Sequence, residues 1–192
     1  MNVLLLGPQG SGKGTQAKRI SAEAGVPHIS TGDMFREAIA VQTELGRRVE
    51  PILERGDLVP DELTIELIRE RLGRGDALRG FVLDGFPRTL AQAEALDVML
   101  DEEGRQLDVV FDLQVSDRVA RERLLNRAEL ENRPDDTPDA IDRRLALYHQ
   151  LTLPISEHYR TRGILVGIHG ERTPDEVFRE IQHALRAVEA RA

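Results

Sequence analysis

Two hydrophobic periods alternate along the 192 residues of this chain. Asn2 to Leu6 is a short apolar run closed by Gly7, the pattern of a buried parallel strand. A helical period follows from Lys13 to about Glu23 and stops at Gly25 and Pro27. His28 to Ser30 reads as a second strand, and helices are predicted from about Asp33 to Ala40, Glu44 to Glu54 and Asp61 to Leu72. Phe81 to Asp84 is a strand ending on an acid, and Leu90 to Asp101 a helix. Asp108 to Val115, rich in Val, Phe and Leu, is a strand, followed by a helix over Asp117 to Arg127. A long helix is expected from Pro138 to Arg162, bent at Pro154, then a strand over Ile164 to Ile168. Pro174 opens a terminal helix that runs to about Val188.

Strands alternating with helices imply an α/β fold: a parallel sheet of about five strands with helices on both faces. Two segments break the alternation. Thr31 to Leu72 places several helices between two strands, and Ala128 to Thr137 is a polar loop dense in acids and proline. Both are expected as insertions over the C-terminal edge of the sheet, where open α/β folds bind ligands.

Composition narrows the function. The chain has no cysteine, which excludes disulfides and cysteine-built zinc sites. A net charge of −8 makes long nucleic acid a poor partner, since backbone phosphates need a basic surface. A small phosphate ligand needs only a few well-placed cations in a cleft. The apolar run Val3 to Leu6 is too short for a signal peptide or a membrane span, so a cytoplasmic protein is expected.

The sharpest chemical signal is Gly7-Pro-Gln-Gly-Ser-Gly-Lys-Gly-Thr15, between a predicted strand and a predicted helix, the context a P-loop requires. Its glycines let backbone N–H groups turn around phosphate oxygens, and Lys13 can reach the outer phosphates. Gly14 separates Lys13 from Thr15, a departure from the strict pattern. Asp84 has two readings: orienting Mg²⁺ through water, or capping the Gly85 and Phe86 N–H groups.

With the P-loop, the motifs Ser30-Thr-Gly-Asp-Met-Phe-Arg36 and Leu83-Asp-Gly-Phe-Pro-Arg88 with Gln92, and then Arg123, Arg127, Arg133 and Arg144 in that order, resemble the adenylate kinases over nearly the whole chain. The resemblance implies a P-loop NTPase-type domain over residues 1–192, with a nucleoside-monophosphate segment at 30–59 and a short lid at 126–136. It implies transfer of a phosphoryl group from Mg·ATP to AMP, giving two ADP. Gly10, Ser11, Gly12, Lys13, Gly14 and Thr15 would hold ATP, with Arg123 and Arg127 on its phosphates and Arg172 also at the ATP site. Arg36 and Arg88 would hold the phosphate of AMP. Arg133 and Arg144 would close on the transferring group. Thr31, Gln92 and the segment Asp57, Leu58 and Val59 would face the base, with Gly85, Phe86 and Pro87 beside it. The catalytic set is Lys13, Arg88, Arg123, Arg133 and Arg144. Mg²⁺ would sit near Asp84 and Thr15. Zinc is not expected, because only about ten residues separate Arg127 from Pro138, too few for a large lid domain. A monomer is the default. Guanidinium forks suit this chemistry, since they bind phosphate oxygens in pairs. Any single one of these arginines could equally lie on a solvated helix face, as could Gln92. A UMP or CMP kinase of the same fold and a non-catalytic nucleotide sensor are the alternatives. Thr31 and Gln92 favour AMP, and the six phosphate arginines disfavour a sensor.

Overall fold

The computed structural model of the chain describes residues 1–131, 133 and 135–190. Its centre is a five-stranded parallel sheet: β1 (Asn2–Leu6), β2 (His28–Ser30), β3 (Phe81–Asp84), β4 (Val109–Gln114) and β5 (Leu165–His169), in the order β2-β3-β1-β4-β5. β1 is central because its residues Val3 to Leu6 are buried on both faces. Its neighbours pair in register, Leu5 against Asp84 and Leu6 against Asp112, so both acids sit at the C-terminal edge. Connections leave β1 in one direction and β3 in the other. The crevice between these two strands is therefore the switch point where α/β sheets bind ligands.

Helices α1 (Lys13–Ala24) and α9 (Pro174–Glu189) cover one face, packing Ala17, Ile20, Val177 and Ile181 on Val3, Leu5 and Phe111. On the other face, α4 (Asp61–Leu72), α5 (Leu90–Glu102) and α8 (Leu153–Thr161) pack Ile68, Leu96 and Tyr159 on Leu4, Leu83 and Val110. The two insertions carry small clusters of their own. In the first, α2 (Thr31–Ala40) and α3 (Glu44–Glu54) bury Phe35 and Val49 with Val59. In the second, α6 (Asp117–Glu131) and α7 (Pro138–Leu147) bury Ala120, Leu124, Ile141 and Leu145. Each such Phe, Val, Leu or Ile side chain contributes about 1.5–3 kcal/mol by leaving water.

β4 and β5 shift by a residue at their ends, and three features depart further from the sequence reading. α2 begins at Thr31 rather than Asp33, because the Ser30 hydroxyl accepts the Asp33 N–H and caps the helix two residues earlier. α6 continues to Glu131, since Ala128 to Glu131 are good helix formers; residues 126–131, assigned to the lid from sequence, are helical. The expected bend at Pro154 is instead a π-helical turn over Tyr148–Thr152, just before the proline. There the Leu153 N–H reaches back five residues to the Tyr148 carbonyl. This widened register accommodates a proline ring that would crowd the carbonyl four residues back in a regular helix.

Candidate active site

A cleft of about 690 Å³ opens over the C-terminal edge of the sheet, between the two insertions. Its floor is the glycine-rich loop. Gly12 stands at the N-cap of α1 in the left-handed region and no side chain caps the helix, so the first-turn N–H groups stay available to an anion. Gly10 is required for two reasons: its φ is +83°, and a Cβ there would lie 2.4 Å from the Ala120 carbonyl oxygen of α6. Lys13 Nζ donates to the Gly7 and Pro8 carbonyls, each at 2.8 Å, which holds the ammonium over the loop and leaves its third N–H for a ligand. Burial lowers its pKa to about 8, against the pull of Asp84. Gly14 lines the cleft and Thr15 is exposed at its side, whereas Ser11 is buried beneath the loop.

One wall comes from β2, β3 and α5. The Gly85 carbonyl accepts from Thr31 Oγ1 at 2.9 Å and from Arg88 Nε at 2.8 Å. Gly85 has φ +81°, and a Cβ would come within 2.8 Å of Thr31 Oγ1. Arg88 is also fixed along its backbone: its N–H donates to Gln92 Oε1 at 2.8 Å, and its carbonyl accepts from Thr152 Oγ1 at 2.9 Å. The π-helical turn thus supports the wall from behind. Burial pushes the Arg88 pKa down to about 10, with Asp84 acting in the opposite direction. Gln92 is buried and lines the cleft, in contrast to the solvated helix position its sequence alone suggests. Arg36 reaches the same space, paired with Asp33 at 2.5 Å, and Asp57, Leu58 and Val59 complete the wall.

The opposite wall is cationic. Arg123 Nη1 donates to the Gly170 carbonyl at 2.8 Å and to that of Ser11 at 3.5 Å, tying α6 to the loop. Asp136 bridges two more arginines: Oδ2 accepts from Arg127 Nε at 2.8 Å and Nη2 at 2.6 Å, while Oδ1 accepts from Arg144 Nη1 at 2.6 Å. Arg144 also donates to Asp135 at 2.8 Å and to the Leu53 carbonyl at 3.0 Å, so it touches both insertions. Arg133 lines the same space.

The structure therefore brings one set of residues expected from the sequence to a single cleft: Gly10, Gly12, Lys13, Gly14 and Thr15 of the loop, Thr31, Arg36, Asp84, Gly85, Arg88, Gln92, Arg123, Arg127, Arg133 and Arg144, with Ser11 buried below them. Phe86 lies instead in the core, Pro87 lines a small side cavity, and Arg172 is on the surface, 3.4 Å from Glu180. Sequence reading missed Asp61 and Thr152 and gave no role to the carboxylates of Asp135 and Asp136. Asp61 resembles an ordinary helix-start acid, and Thr152 an ordinary helix residue; only their partners reveal them.

Asp84 Oδ2 lies 3.7 Å from His28 Nε2 and faces the start of α1, where a Cβ on Gly14 would be 3.6 Å away. Asp84 and Thr15 line the same cleft, and oxygen groups of this kind suit a magnesium ion, which keeps several waters and takes further oxygens from substrate phosphates.

The chain is similar in sequence to known proteins. A sequence model of the family described as adenylate kinase matches residues 5–164. An adenylate kinase of Thermus thermophilus is 50% identical over 183 residues, covering 95% of this chain and 96% of its own. That of a Cyanothece species is 49% identical over 181 residues, covering 94% and 93%. That of Thermobifida fusca is 45% identical over 192 residues and covers both chains completely.

Proposed function

The chain belongs to the adenylate kinase family, and we propose that its cleft works by holding two nucleotides phosphate to phosphate. It is a nucleoside monophosphate kinase that moves a phosphoryl group reversibly between ATP and AMP. The observation that supports the proposed mechanism is one cleft lined by two groups of cations, Lys13 of the loop with Arg123, and Arg36 with Arg88.

ATP lies with its phosphates on the first-turn N–H groups of α1, and Lys13 offers its free N–H to the outer phosphates. AMP lies with its phosphate between Arg36 and Arg88 and its base toward Thr31, Gln92 and the segment Asp57 to Val59. An oxygen of the AMP phosphate attacks the γ-phosphorus, the bond to the β–γ bridging oxygen breaks, and two ADP result. The protein's contribution is alignment and neutralisation of charge, as phosphoryl transfer requires. Arg127, Arg133 and Arg144 supply cations on the side facing the transferring group. Magnesium arriving with ATP would be held by Asp84 through water and by Thr15, and it neutralises charge on the phosphates.

Segment 30–59 acts as the acceptor-binding body and the 126–136 region as a short lid; closing them excludes water, which would otherwise take the phosphoryl group. A monomer is the expected form. The substrates place it with the cytoplasmic nucleotide pool. Among the described residues, no helix is long and apolar enough to cross a membrane.

The test is an acceptor panel. With ATP as donor, AMP should exceed CMP and UMP in kcat/KM, and Gln92→Ala should erode the preference, because a base-reading site penalises acceptors that leave its polar groups unpaired. Equal values for all three acceptors would remove the AMP-reading role from this wall.

A further inference from the structure

The Gln92 amide has one hydrogen bond at each end. Oε1 accepts the Arg88 N–H at 2.8 Å, and Nε2 donates to Asp61 Oδ1 at 2.7 Å. A backbone N–H can only donate and an ionised carboxylate can only accept, so these two partners permit a single orientation of the amide. Flipping it would set NH₂ against N–H and oxygen against carboxylate. Asp61 is the first residue of α4, and its Oδ2 accepts from Thr89 Oγ1 at 3.0 Å. Thr89 is the N-cap of α5, the helix that carries Gln92. The carboxylate thus joins the starts of two helices and lies behind the cleft wall rather than on it.

We propose that Asp61 is a specificity-positioning residue: by fixing the Gln92 amide, it makes the wall read a 6-aminopurine and reject a 6-oxopurine. The proposal rests on the reading of Gln92 as a base-facing residue. Adenine offers an acceptor at N1 beside a donor at the exocyclic amine. Hypoxanthine offers a donor at N1 beside an acceptor at O6, the reverse order. A glutamine amide free to turn over can match either order. One locked between Arg88 and Asp61 keeps one N–H and one lone pair in fixed places and matches only one. No charge difference separates AMP from IMP, so the discrimination falls on this amide.

The experiment measures kcat/KM for AMP and for IMP, with ATP as donor, in the wild type and in Asp61→Asn, Asp61→Ala and Gln92→Ala. The AMP/IMP ratio is internal to each protein, so a partly unfolded preparation does not distort it. Asn keeps the shape of Asp but presents either oxygen or NH₂ to Gln92, which releases the lock. Asp61→Asn should lower the AMP/IMP ratio about tenfold, as expected for exchanging a charge-assisted hydrogen bond for a neutral one. Asp61→Ala should do the same, and if it fails to fold, Asp61→Asn decides alone. A collapse of the ratio in Gln92→Ala with an unchanged ratio in the Asp61 variants overturns the proposal while leaving the reading of Gln92 intact. An unchanged ratio in Gln92→Ala overturns that reading and the proposal with it. Equal losses for AMP and IMP in the Asp61 variants make Asp61 merely structural and also overturn it.

Discussion

Replacing Asp136 with Asn removes the charge that joins Arg127 to Arg144. The Asp136 side chain has no exposed surface and accepts three short charge-assisted hydrogen bonds, at 2.8, 2.6 and 2.6 Å. Removing one partner of a buried ion pair costs about 3–5 kcal/mol. Two features reduce that here. Arg127 is 28% exposed and can regain water, and Arg144 keeps Asp135 at 2.8 Å and the Leu53 carbonyl at 3.0 Å. A cost of about 2–3 kcal/mol is therefore expected. Residues 135–145 lie outside the sheet, so the loss is expected as local opening there rather than global unfolding. At tenfold for each 1.4 kcal/mol, amide exchange in residues 135–145 should accelerate about 30- to 150-fold. The strands should exchange as before. The assay is hydrogen exchange read by mass spectrometry on the two proteins without nucleotide. An acceleration below about threefold would refute the ion-pair account, because it would mean that the three bonds contribute almost nothing net.

Other outcomes follow from the same geometry. Lys13→Ala should abolish measurable transfer with the fold intact, and near-normal turnover would remove the glycine-rich loop from the mechanism. Burial holds Lys13 at about 8, so its proton is lost as pH rises through that value, and kcat/KM for ATP should fall above it. A profile flat from pH 7 to pH 9.5 would contradict this. The linkage to stability has the opposite sense: a lysine whose folded pKa lies below its ordinary 10.5 opposes folding at low pH, and the penalty is relieved as pH rises from about 8. Thr152→Val removes the donor to the Arg88 carbonyl at 2.9 Å, and the loss of about 1–2 kcal/mol should appear as a raised KM for AMP with the KM for ATP unchanged. Equal changes in both constants would make Thr152 a general packing residue.

The sheet and most helices were legible because their signals are local. β1 is an apolar run ended by glycine, α3 and α4 match their predicted bounds, and the glycine-rich loop is one contiguous motif between a strand and a helix. The residues that hold the site rigid were not legible, because their partners are distant in sequence. Asp61 meets Gln92 across 31 positions and Thr152 meets Arg88 across 64. The bridge from Asp136 spans only eight or nine positions, yet it depends on α6 and α7 folding back on each other. The π-helical turn was hidden for a related reason: a proline signals a disturbed helix, but not which turn absorbs the disturbance. Arg172, given to the ATP site by the resemblance, lies on the surface against Glu180.

The central claim is that one cleft holds both nucleotides end to end, and a bisubstrate ligand tests it most directly. Two adenosines joined through five phosphates should engage the loop with Lys13 and the Arg36–Arg88 wall at once, and so meet the entropy cost of assembly only once. Titration calorimetry should give one ligand per chain, bound far more tightly than ATP or AMP alone. Hydrogen exchange on the same complex should show protection rising together in 30–59 and in the described residues of 126–136. Two ligands per chain, or protection confined to the loop side, would contradict the account.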